Sequence, residues 1–372
     1  MMKYFLRGLR KGLCFGFPLI AFFLLFLPVN QGELIPEYEQ PPAVTEQPEE
    51  FPSVSEEETA ETAEKDSVIL SFAGDVQFSE QYLTAYDQSG ISAFADDELL
   101  NDMRNADLFM LNHEFSFSQR GEAMADKQYT FRTDPKYVTI LQELGADIAG
   151  IANNHILDFG ESALLDTLDT LEKAEISHVG AGRNLSEASA PCVKEINGQT
   201  FAFFAATRVS PSAGWYASDS RPGVFQTYDP KRLNAAISEA EKNYDHIIVF
   251  VHWGIERNEF PEEYQRSLAR GYIDSGADLV IGCHPHILQG FEYYQGVPVI
   301  YSLGNFLFGN RTDETVLLNA EFSKDGALRV RLIPCQRKNG VLSEISDPDK
   351  LYRHLSEISD QVTISEDGVL IP

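Results

Sequence analysis

The sequence predicts an α/β domain in which layered, mixed β-sheets are flanked by helices. From Ser67 onward, short apolar runs typical of buried strands alternate with segments of helical periodicity. Asn-Gly at 197–198 and Lys-Asp-Gly at 324–326 each lie between apolar runs and indicate β-hairpins, which add antiparallel pairs to the sheet. An apolar share of 43% can supply a sizeable core.

Apolar runs and helical segments alternate through the predicted domain. The runs predicted to be strands are 68–73, 108–111, 148–151, 246–251, 278–281 and 297–301. The segments predicted to be helices are 136–144, 161–174, 230–242 and 262–274. After Phe308 the chain becomes β-rich and ends in a short helix near 348–357. We therefore expect one domain over 67–308 and a β-rich extension of the same domain over 309–372.

Residues 1–30 are predicted to form a cytoplasmic tip and a transmembrane signal anchor. Lys3, Arg7, Arg10 and Lys11 precede an uncharged apolar run over 13–29, which is just long enough to span a bilayer as a helix. Basic residues before the run keep that end in the cytoplasm, so the remainder is expected to be extracytoplasmic and held at the cell membrane by a single pass. A cleaved signal peptide is the alternative, but no A-x-A-like site follows the run.

Residues 31–66 are predicted to be an acidic, disordered stalk. Glutamate, proline, threonine and serine dominate this segment, and Lys65 is its only basic residue. Such a composition buries too little apolar surface to fold. The whole chain has a net charge of −28, which argues against a nucleic acid as partner. A polyanionic substrate would need a local cationic pocket or a bound metal.

Polar residues directly follow the predicted strands, at the edge where an open α/β sheet builds its site. Each has an ordinary alternative: Asp75 could cap a helix, Asn154 could form a turn, and His252 could be a core residue. Together they are more specific, because half of the chain's 8 histidines stand at strand ends. The candidate residues are Asp75, Glu114, Asn154, His155, Asp158, His252, His284 and His286.

Imidazoles, carboxylates and an amide at one sheet edge form a coherent ligand set for a divalent metal. Mixed nitrogen and oxygen ligation suits Mn²⁺, Fe or Zn²⁺ better than Ca²⁺, which prefers oxygen alone. In His284-Pro285-His286, an extended backbone would send both imidazoles to one side and Cys283 to the other. A centre of two metals would activate water and stabilise the charge of a displacement reaction.

The order of these motifs resembles a known family. The series is G-D, N-x-E, A-N-N-H-x-x-D-x-G, H-W-G-x-E, G-x-H-P-H-x-x-Q and S-L-G-N-F-x-F, and it extends over roughly 68–308. It resembles the poly-γ-glutamate capsule-synthesis (CapA) family, which is related to the calcineurin-like metallophosphoesterases. The resemblance implies a metallophosphoesterase-like sandwich displayed at the surface of capsule-forming bacteria.

The resemblance also implies roles for individual residues. Asp75 and His286 would ligate a first metal, with Glu114 as the bridge. The second metal would be held by Asn154, His252 and His284. His155 would be a general acid oriented by Asp158, and Arg132 would receive an anionic group of the substrate.

Two positions depart from the phosphoesterase pattern. Gln77 stands where those enzymes normally have a histidine two residues after the first aspartate, and Glu114 replaces their bridging aspartate. Loss of one imidazole weakens the first metal site, so we expect one or two bound metals.

Three functions remain open from the sequence. The first is a metal-dependent hydrolase or transferase acting on an envelope polymer or its phosphorylated precursor, which His155 favours. The second is a non-catalytic accessory subunit that binds poly-γ-glutamate or a membrane capsule synthase, which Gln77 favours. The third is a stalked scaffold. The chain has no G-x-x-x-x-G-K-[ST] loop and is therefore not expected to be the ATP-dependent polymerase.

Overall fold

The structure is a computed structural model and describes residues 67–309, 314–338 and 340–372, all within one compact unit, Glu64–Pro372. The anchor over 1–30 and the stalk over 31–66 lie outside the described residues and stay predictions. In the part of the chain that is described, no helix is both long enough and apolar enough to cross a membrane.

The first sheet contains eight strands in the order β18-β17-β16-β1-β2-β5-β6, with β15 pairing alongside β1. Their bounds are β1 Ser67–Gln77, β2 Leu108–His113, β5 Ile148–Gly150, β6 Ser177–Val179, β15 Asn305–Phe308, β16 Glu314–Ser323, β17 Leu328–Lys338 and β18 Val341–Glu344. The strands β1, β2, β5, β6 and β15 run parallel, whereas β16, β17 and β18 pair antiparallel. The C-terminal part of the chain thus adds strands directly to β1.

The second sheet contains six strands in the order β13-β14-β12-β11-β9-β8. Their bounds are β8 Cys192–Ile196, β9 Gln199–Thr207, β11 His246–His252, β12 Leu279–Cys283, β13 Phe291–Tyr294 and β14 Val297–Ile300. The four inner strands are parallel, and the two edge strands are antiparallel to their neighbours. Both sheets are therefore mixed.

Eight α-helices and several short elements complete the described fold. The helices are α1 Glu80–Ser89, α2 Asp97–Asn105, α3 Val138–Leu144, α4 Glu161–Lys173, α5 Leu185–Ala188, α6 Lys231–Ala240, α7 Glu263–Asp274 and α8 Asp349–Ile358. Two-residue strands form three small pairs: β3 Ser116–Phe117 with β4 Arg132–Thr133, β7 Ala181–Gly182 with β10 Gly223–Val224, and β19 Thr363–Ile364 with β20 Leu370–Ile371. Short 3₁₀ helices cover Gly90–Ala93, Pro135–Tyr137 and Ala213–Trp215.

The two sheets face each other across one apolar layer, and helices cover their outer faces. Phe72 and Met110 of the first sheet share a buried cluster with Phe203, Phe250 and Ile281 of the second. The alternating residues of the first sheet point to the other side, where they pack with α1 to α4. Those of the second sheet pack with α6 and α7. The predicted class, a layered α/β sandwich of mixed sheets flanked by helices, is confirmed.

Local sequence patterns predict most of these strands and turns. The six predicted strands and both hairpins are present, and the Asn197-Gly198 turn has positive φ at both residues. The helices α1 and α2 were not predicted. Their N-caps carry a readable signal, because the side chains of Ser79 and Asp96 accept hydrogen bonds from the backbone N–H groups of Tyr82 and Leu99.

Candidate metal centre

The predicted ligands all converge at the carboxyl ends of the two sheets. Asp75 lies near the end of β1, and Glu114 directly follows β2. Asn154 lies in the connection after β5, His252 ends β11, and His284 and His286 follow β12. All are buried except His286, which is about one-tenth exposed at its side chain. The first sheet supplies the carboxylates and the amide, and the second supplies the imidazoles.

A close approach of two glycines sets the position of Asp75. The pairing of β1 shifts register at Gly74, and the N–H of Asp75 donates to the carbonyl of Gly304 at 2.8 Å. A Cβ atom on Gly74 would lie 2.0 Å from that carbonyl oxygen, so only glycine fits there. The predicted strand 68–73 therefore continues past this point to Gln77 and delivers the carboxylate to the cluster.

The segment from Cys283 to His286 differs from the predicted extended backbone. His284 and His286 have φ values of 100° and 58°, a region that non-glycine residues adopt at a cost. The Nδ1 atom of His284 nevertheless lies 3.1 Å from Nε2 of His252, and Nδ1 of His286 lies 3.0 Å from Asp75 Oδ2. The expectation of an extended segment is wrong, although both rings reach the cluster.

Cys283 lies beside the cluster instead of facing away from it. Its side chain is fully buried among apolar residues of the inter-sheet layer. Burial first, and then the nearby carboxylates of Asp75 and Glu114, raise the pKa of its thiol. The thiol is therefore kept protonated.

The carboxylate of Glu114 is the centre of the site. Its Oε1 atom is buried and has no hydrogen-bond partner within the described residues. It lies 3.6 Å from His252 Nε2, 3.9 Å from His155 Nε2 and 4.0 Å from His286 Nε2. The separations to His252 and His286 exceed a hydrogen bond but fit donor atoms that share a cation through bonds of about 2 Å.

The charges of the cluster also fit a divalent metal. Burial, followed by the proximity of Asp75, raises the pKa of Glu114 well above its usual value. A cation between the carboxylates would reverse this penalty. Burial and the neighbouring imidazoles lower the pKa of His252 well below its usual value and that of His284 to about 3. Both rings are therefore neutral, the form that ligates metals.

His286 and Asp75 form an ion pair at the rim of the cluster. Burial opposes charge on both groups and is the largest influence on each. The mutual hydrogen bond outweighs it, so the pKa of Asp75 is lowered and that of His286 is raised. Asn305 is the residue of β15 that pairs with Asp75 of β1. It also bonds His286, with 2.9 Å between Asn305 Oδ1 and His286 Nδ1.

Two overlapping groups of acidic and histidine residues have donor atoms within 4.8 Å of one another, Glu114–His284–His286 and Asp75–Glu114–His252. Glu114 belongs to both, as a bridging ligand would. The groups divide the other ligands differently from the sequence prediction, so the assignment of each ligand to a first or second metal stays a prediction. A third group, Glu172–His178–Glu187, lies elsewhere. There, the guanidinium of Arg183 already bonds both glutamates.

His155 is held beside the cluster by Asp158. The Nδ1 atom of His155 lies 2.7 Å from Asp158 Oδ2, and its ring packs on Phe131 at 4.2 Å between centroids. Because a buried carboxylate accepts hydrogen bonds, we assign the proton of the neutral ring to Nδ1. The Nε2 atom then faces Glu114, free to take up or deliver a proton. Burial lowers the pKa of His155, although the bond to Asp158 acts in the opposite direction.

Sequence reasoning missed Lys127. Its ammonium group bonds Asp158 Oδ1 and the carbonyl of Asn154, and it lies 3.1 Å from His155 Nδ1. Burial lowers its pKa, partly offset by the charge of Asp158. Lys127 comes from an irregular connection between β3 and β4, and nothing in its local sequence marks it.

Two further asparagines were missed as supports of the cluster. Asn112 donates from Nδ2 to Asp75 Oδ1 at 2.7 Å and to Glu114 Oε2 at 3.1 Å. Asn153 donates to Asn112 Oδ1 at 3.2 Å and thereby fixes its orientation. Both asparagines belong to the motifs at the strand ends, so their position was a signal. An asparagine there could equally form a turn, so its residue type did not show that it supports the ligands.

Neither Arg132 nor Gln77 has a hydrogen bond to a predicted ligand among the described residues. The guanidinium of Arg132 is exposed, stacks on Phe159 at 4.1 Å and donates to the carbonyls of Arg120 and Gly121. Its predicted role in substrate binding stays a prediction. Gln77 is buried at the end of β1, where it pairs with Phe308 of β15.

Comparison with known proteins gives the family context. Residues 69–310 match the family described as bacterial capsule synthesis protein PGA_cap. The chain is 34% identical over 319 residues to the PGA biosynthesis protein CapA of Bacillus subtilis, covering 83% of each protein. It is 30% identical over 208 residues to a probable polyglutamine synthesis accessory protein of Mycobacterium tuberculosis, covering 54% of this chain and 55% of that protein.

Among solved structures, the sulfate thiohydrolase SoxB of Thermus thermophilus aligns with a TM-score of 0.42 and 12% identity. The alignment covers 72% of this chain and 56% of that chain. A likeness of this size carries no argument about function.

Proposed function

This chain belongs to the bacterial capsule synthesis protein family, and we propose that it is a metal-dependent hydrolase acting on an anionic cell-envelope polymer or its phosphorylated precursor. The observation that carries the proposal is the unpartnered Oε1 of Glu114, which three imidazole nitrogens surround at 3.6 to 4.0 Å. An accessory domain with a purely structural role has no need to bury such an acceptor, because leaving it unpaired costs about 1–3 kcal/mol or more.

The ligands proposed for one or two divalent cations are Asp75, Glu114, Asn154, His252, His284 and His286. Their mixed nitrogen and oxygen donors suit manganese, iron or zinc. When bound, such a cation supplies Lewis acidity and lowers the pKa of coordinated water. The chain's own residues bind the cation, exclude bulk water and hold protons in place.

His155 is the proposed proton carrier. Its Nε2 atom faces the cluster, while Asp158 fixes the ring through Nδ1. In the neutral form, Nε2 accepts a proton, and once protonated it delivers that proton to a leaving group. Asp158 offsets the positive charge formed in this step, and its other oxygen forms an ion pair with Lys127. His155 would thus first accept a proton and then donate it, and the general-acid role predicted from the sequence is the donating step.

We also propose that the protein works at the cell membrane with the described domain outside the cytoplasm. The basic residues before the uncharged run 13–29 support this orientation, and the acidic segment 31–66 would act as a spacer. An anionic envelope polymer such as poly-γ-glutamate and a membrane capsule synthase are the partners this location would offer.

A non-catalytic accessory role is the second candidate. The name of the Mycobacterium tuberculosis relative, a probable polyglutamine synthesis accessory protein, favours it. So does Gln77, which stands where the resemblance leads one to expect a further imidazole. In this case the cluster would bind polymer carboxylates without turnover.

Substitution of His155 by alanine separates the two candidates. We expect turnover of γ-linked glutamate oligomers or phosphoesters by the full-length protein to fall by about 10²- to 10⁴-fold while bound metal is retained. His178→Ala, which removes a histidine bonded to Glu172 away from the cluster, serves as the control. Equal turnover in both variants would exclude His155 as the proton carrier, and no turnover in the unsubstituted protein would favour the accessory role.

A further inference from the structure

Arg208 leaves the second sheet beside the metal cluster. It follows Thr207, the last residue of β9, and its backbone N–H donates to the carbonyl of His252 at 2.8 Å. The main chain of Arg208 is therefore bonded directly to that of a proposed ligand. Its side chain is half-buried at the sheet edge that carries the site.

Two tyrosine rings hold the guanidinium of Arg208. Its Cζ atom lies 3.8 Å from the ring centroid of Tyr228 and 5.1 Å from that of Tyr264. The hydroxyl of Tyr264 accepts a hydrogen bond from the N–H of Gly254 at 2.7 Å, two residues after His252. Stacking of this kind restrains the guanidinium plane and leaves its N–H edge available.

The guanidinium N–H donors of Arg208 have no acceptor among the described residues. Several other arginines of this chain, which has 57 acidic residues, are paired with carboxylates. Arg183 bonds three carboxylates, and Arg120 forms a forked pair with Asp166. Arg208 is thus a restrained cation with unused donors, which is the form expected of a carboxylate receptor.

The connection that begins with Arg208 also reaches the proton-transfer side of the site. Trp215, seven residues later, lies with its ring centroid 5.2 Å from the ammonium of Lys127. Lys127 contacts both His155 and Asp158. One connection therefore runs from the residue whose main chain bonds His252 to the ring that covers the ammonium beside His155.

We propose that Arg208 forms an anion-binding subsite that receives a side carboxylate of a polycarboxylate substrate next to the metal cluster. This rests on the proposed function and narrows its substrate class, because a neutral polymer would leave the guanidinium unpaired. A carboxylate matches the fork of two N–H donors and would replace the water that solvates it. The tyrosines set the orientation without competing for those donors.

Calorimetric binding of a γ-linked hexaglutamate to the full-length protein tests the subsite. We expect Arg208→Ala to weaken binding by roughly tenfold or more and to reduce the salt dependence of the affinity. Arg329→Ala is the control, since it removes an exposed arginine of β17 that is paired with Asp367, at the end of the first sheet away from the cluster. Tyr228→Phe should keep the affinity, because the ring that restrains the guanidinium remains.

The γ-linked hexamer whose α-carboxylates are replaced by carboxamides, together with inorganic phosphate, completes the test. We expect the neutral oligomer to bind more weakly than hexaglutamate to the unsubstituted protein and equally weakly to Arg208→Ala. Equal hexaglutamate affinity in Arg208→Ala and Arg329→Ala would overturn the subsite. An Arg208→Ala protein that loses affinity for phosphate but keeps its affinity for hexaglutamate would overturn it as well. Failure of the unsubstituted protein to bind hexaglutamate would instead count against a glutamate polymer as the substrate of the proposed function.

Discussion

Lys127 and Asp158 form a buried ion pair whose role is to keep His155 in place. Asp158 is fully buried, while the side chain of Lys127 is 15% exposed. The backbone N–H of Phe131 also donates to Asp158, at 2.7 Å to Oδ2. Asp158 therefore bonds His155, Lys127 and the backbone of Phe131. Removing the cation would leave a buried carboxylate with less compensation.

Substitution of Lys127 by methionine tests this arrangement. We expect the free energy of unfolding to fall by about 3 kcal/mol, because Asp158 loses its charged partner. Chemical denaturation measures this change. Lys231→Met is the matched control, since Lys231 and Asp229 form a solvent-exposed pair worth less than about 1 kcal/mol. Equal effects of the two substitutions would mean that the buried pair contributes nothing special.

At the residue scale, the sequence predicted which side chains lie together in the cluster but not the residues that support them. Asp75, His252 and His284 could be predicted because carboxyl ends of parallel strands meet at one sheet edge. Lys127 could not, since it comes from an irregular connection and reaches the site only through tertiary packing. The positive φ of His284 was equally hidden, because a His-Pro-His segment suggests extended backbone.

At the scale of elements, the pairing of β1 with its neighbours positions the first carboxylate. Strand β1 lies between β2 and β16 and also pairs with β15 beyond Gly74. The register shift at Gly74 allows β1 to change partners while Asp75 stays hydrogen-bonded to Gly304. The end of β1 therefore depends on a contact between two backbones.

Substitution of Gly74 by alanine would break this contact. Its Cβ atom would lie 2.0 Å from the Gly304 carbonyl, so the strand must shift. We expect a loss of more than about 2 kcal/mol in the free energy of unfolding, together with weaker metal binding. In Gly271→Ala on α7, the new Cβ meets Asn234 at an ordinary 3.6 Å, so stability should rise by about 0.5–1 kcal/mol. A Gly74→Ala protein as stable as the Gly271→Ala protein would contradict the account.

The strands and helices were predictable to different extents for physical reasons. Long apolar runs such as 246–251 are strong signals because a parallel strand is buried on both faces. The helices α1 and α2 were missed because their interiors are largely polar, and only their caps, Ser79 and Asp96, indicate a start. Local capping chemistry was thus the more useful signal where apolar periodicity was weak.

At the scale of the whole molecule, two sheets pack face to face, and their carboxyl ends meet at one buried polar cluster. The sequence predicted a sandwich of mixed sheets, but its pattern of apolar runs did not show which strands belong to which sheet. That division arises from pairings between distant segments, such as β1 with β16 and β9 with β11. The apolar layer between the sheets then ends at Glu114 and the histidines, where burial strengthens their electrostatic interactions.

Metal content of the full-length protein, measured by elemental mass spectrometry after supplementation with manganese, iron or zinc, tests the central claim most directly. We expect about one to two equivalents of a divalent metal, lost in His252→Ala and retained in His178→Ala, because His252 contacts both Glu114 and Asn154. No bound metal under any supplement, or equal retention in both variants, would contradict a metal centre at Glu114.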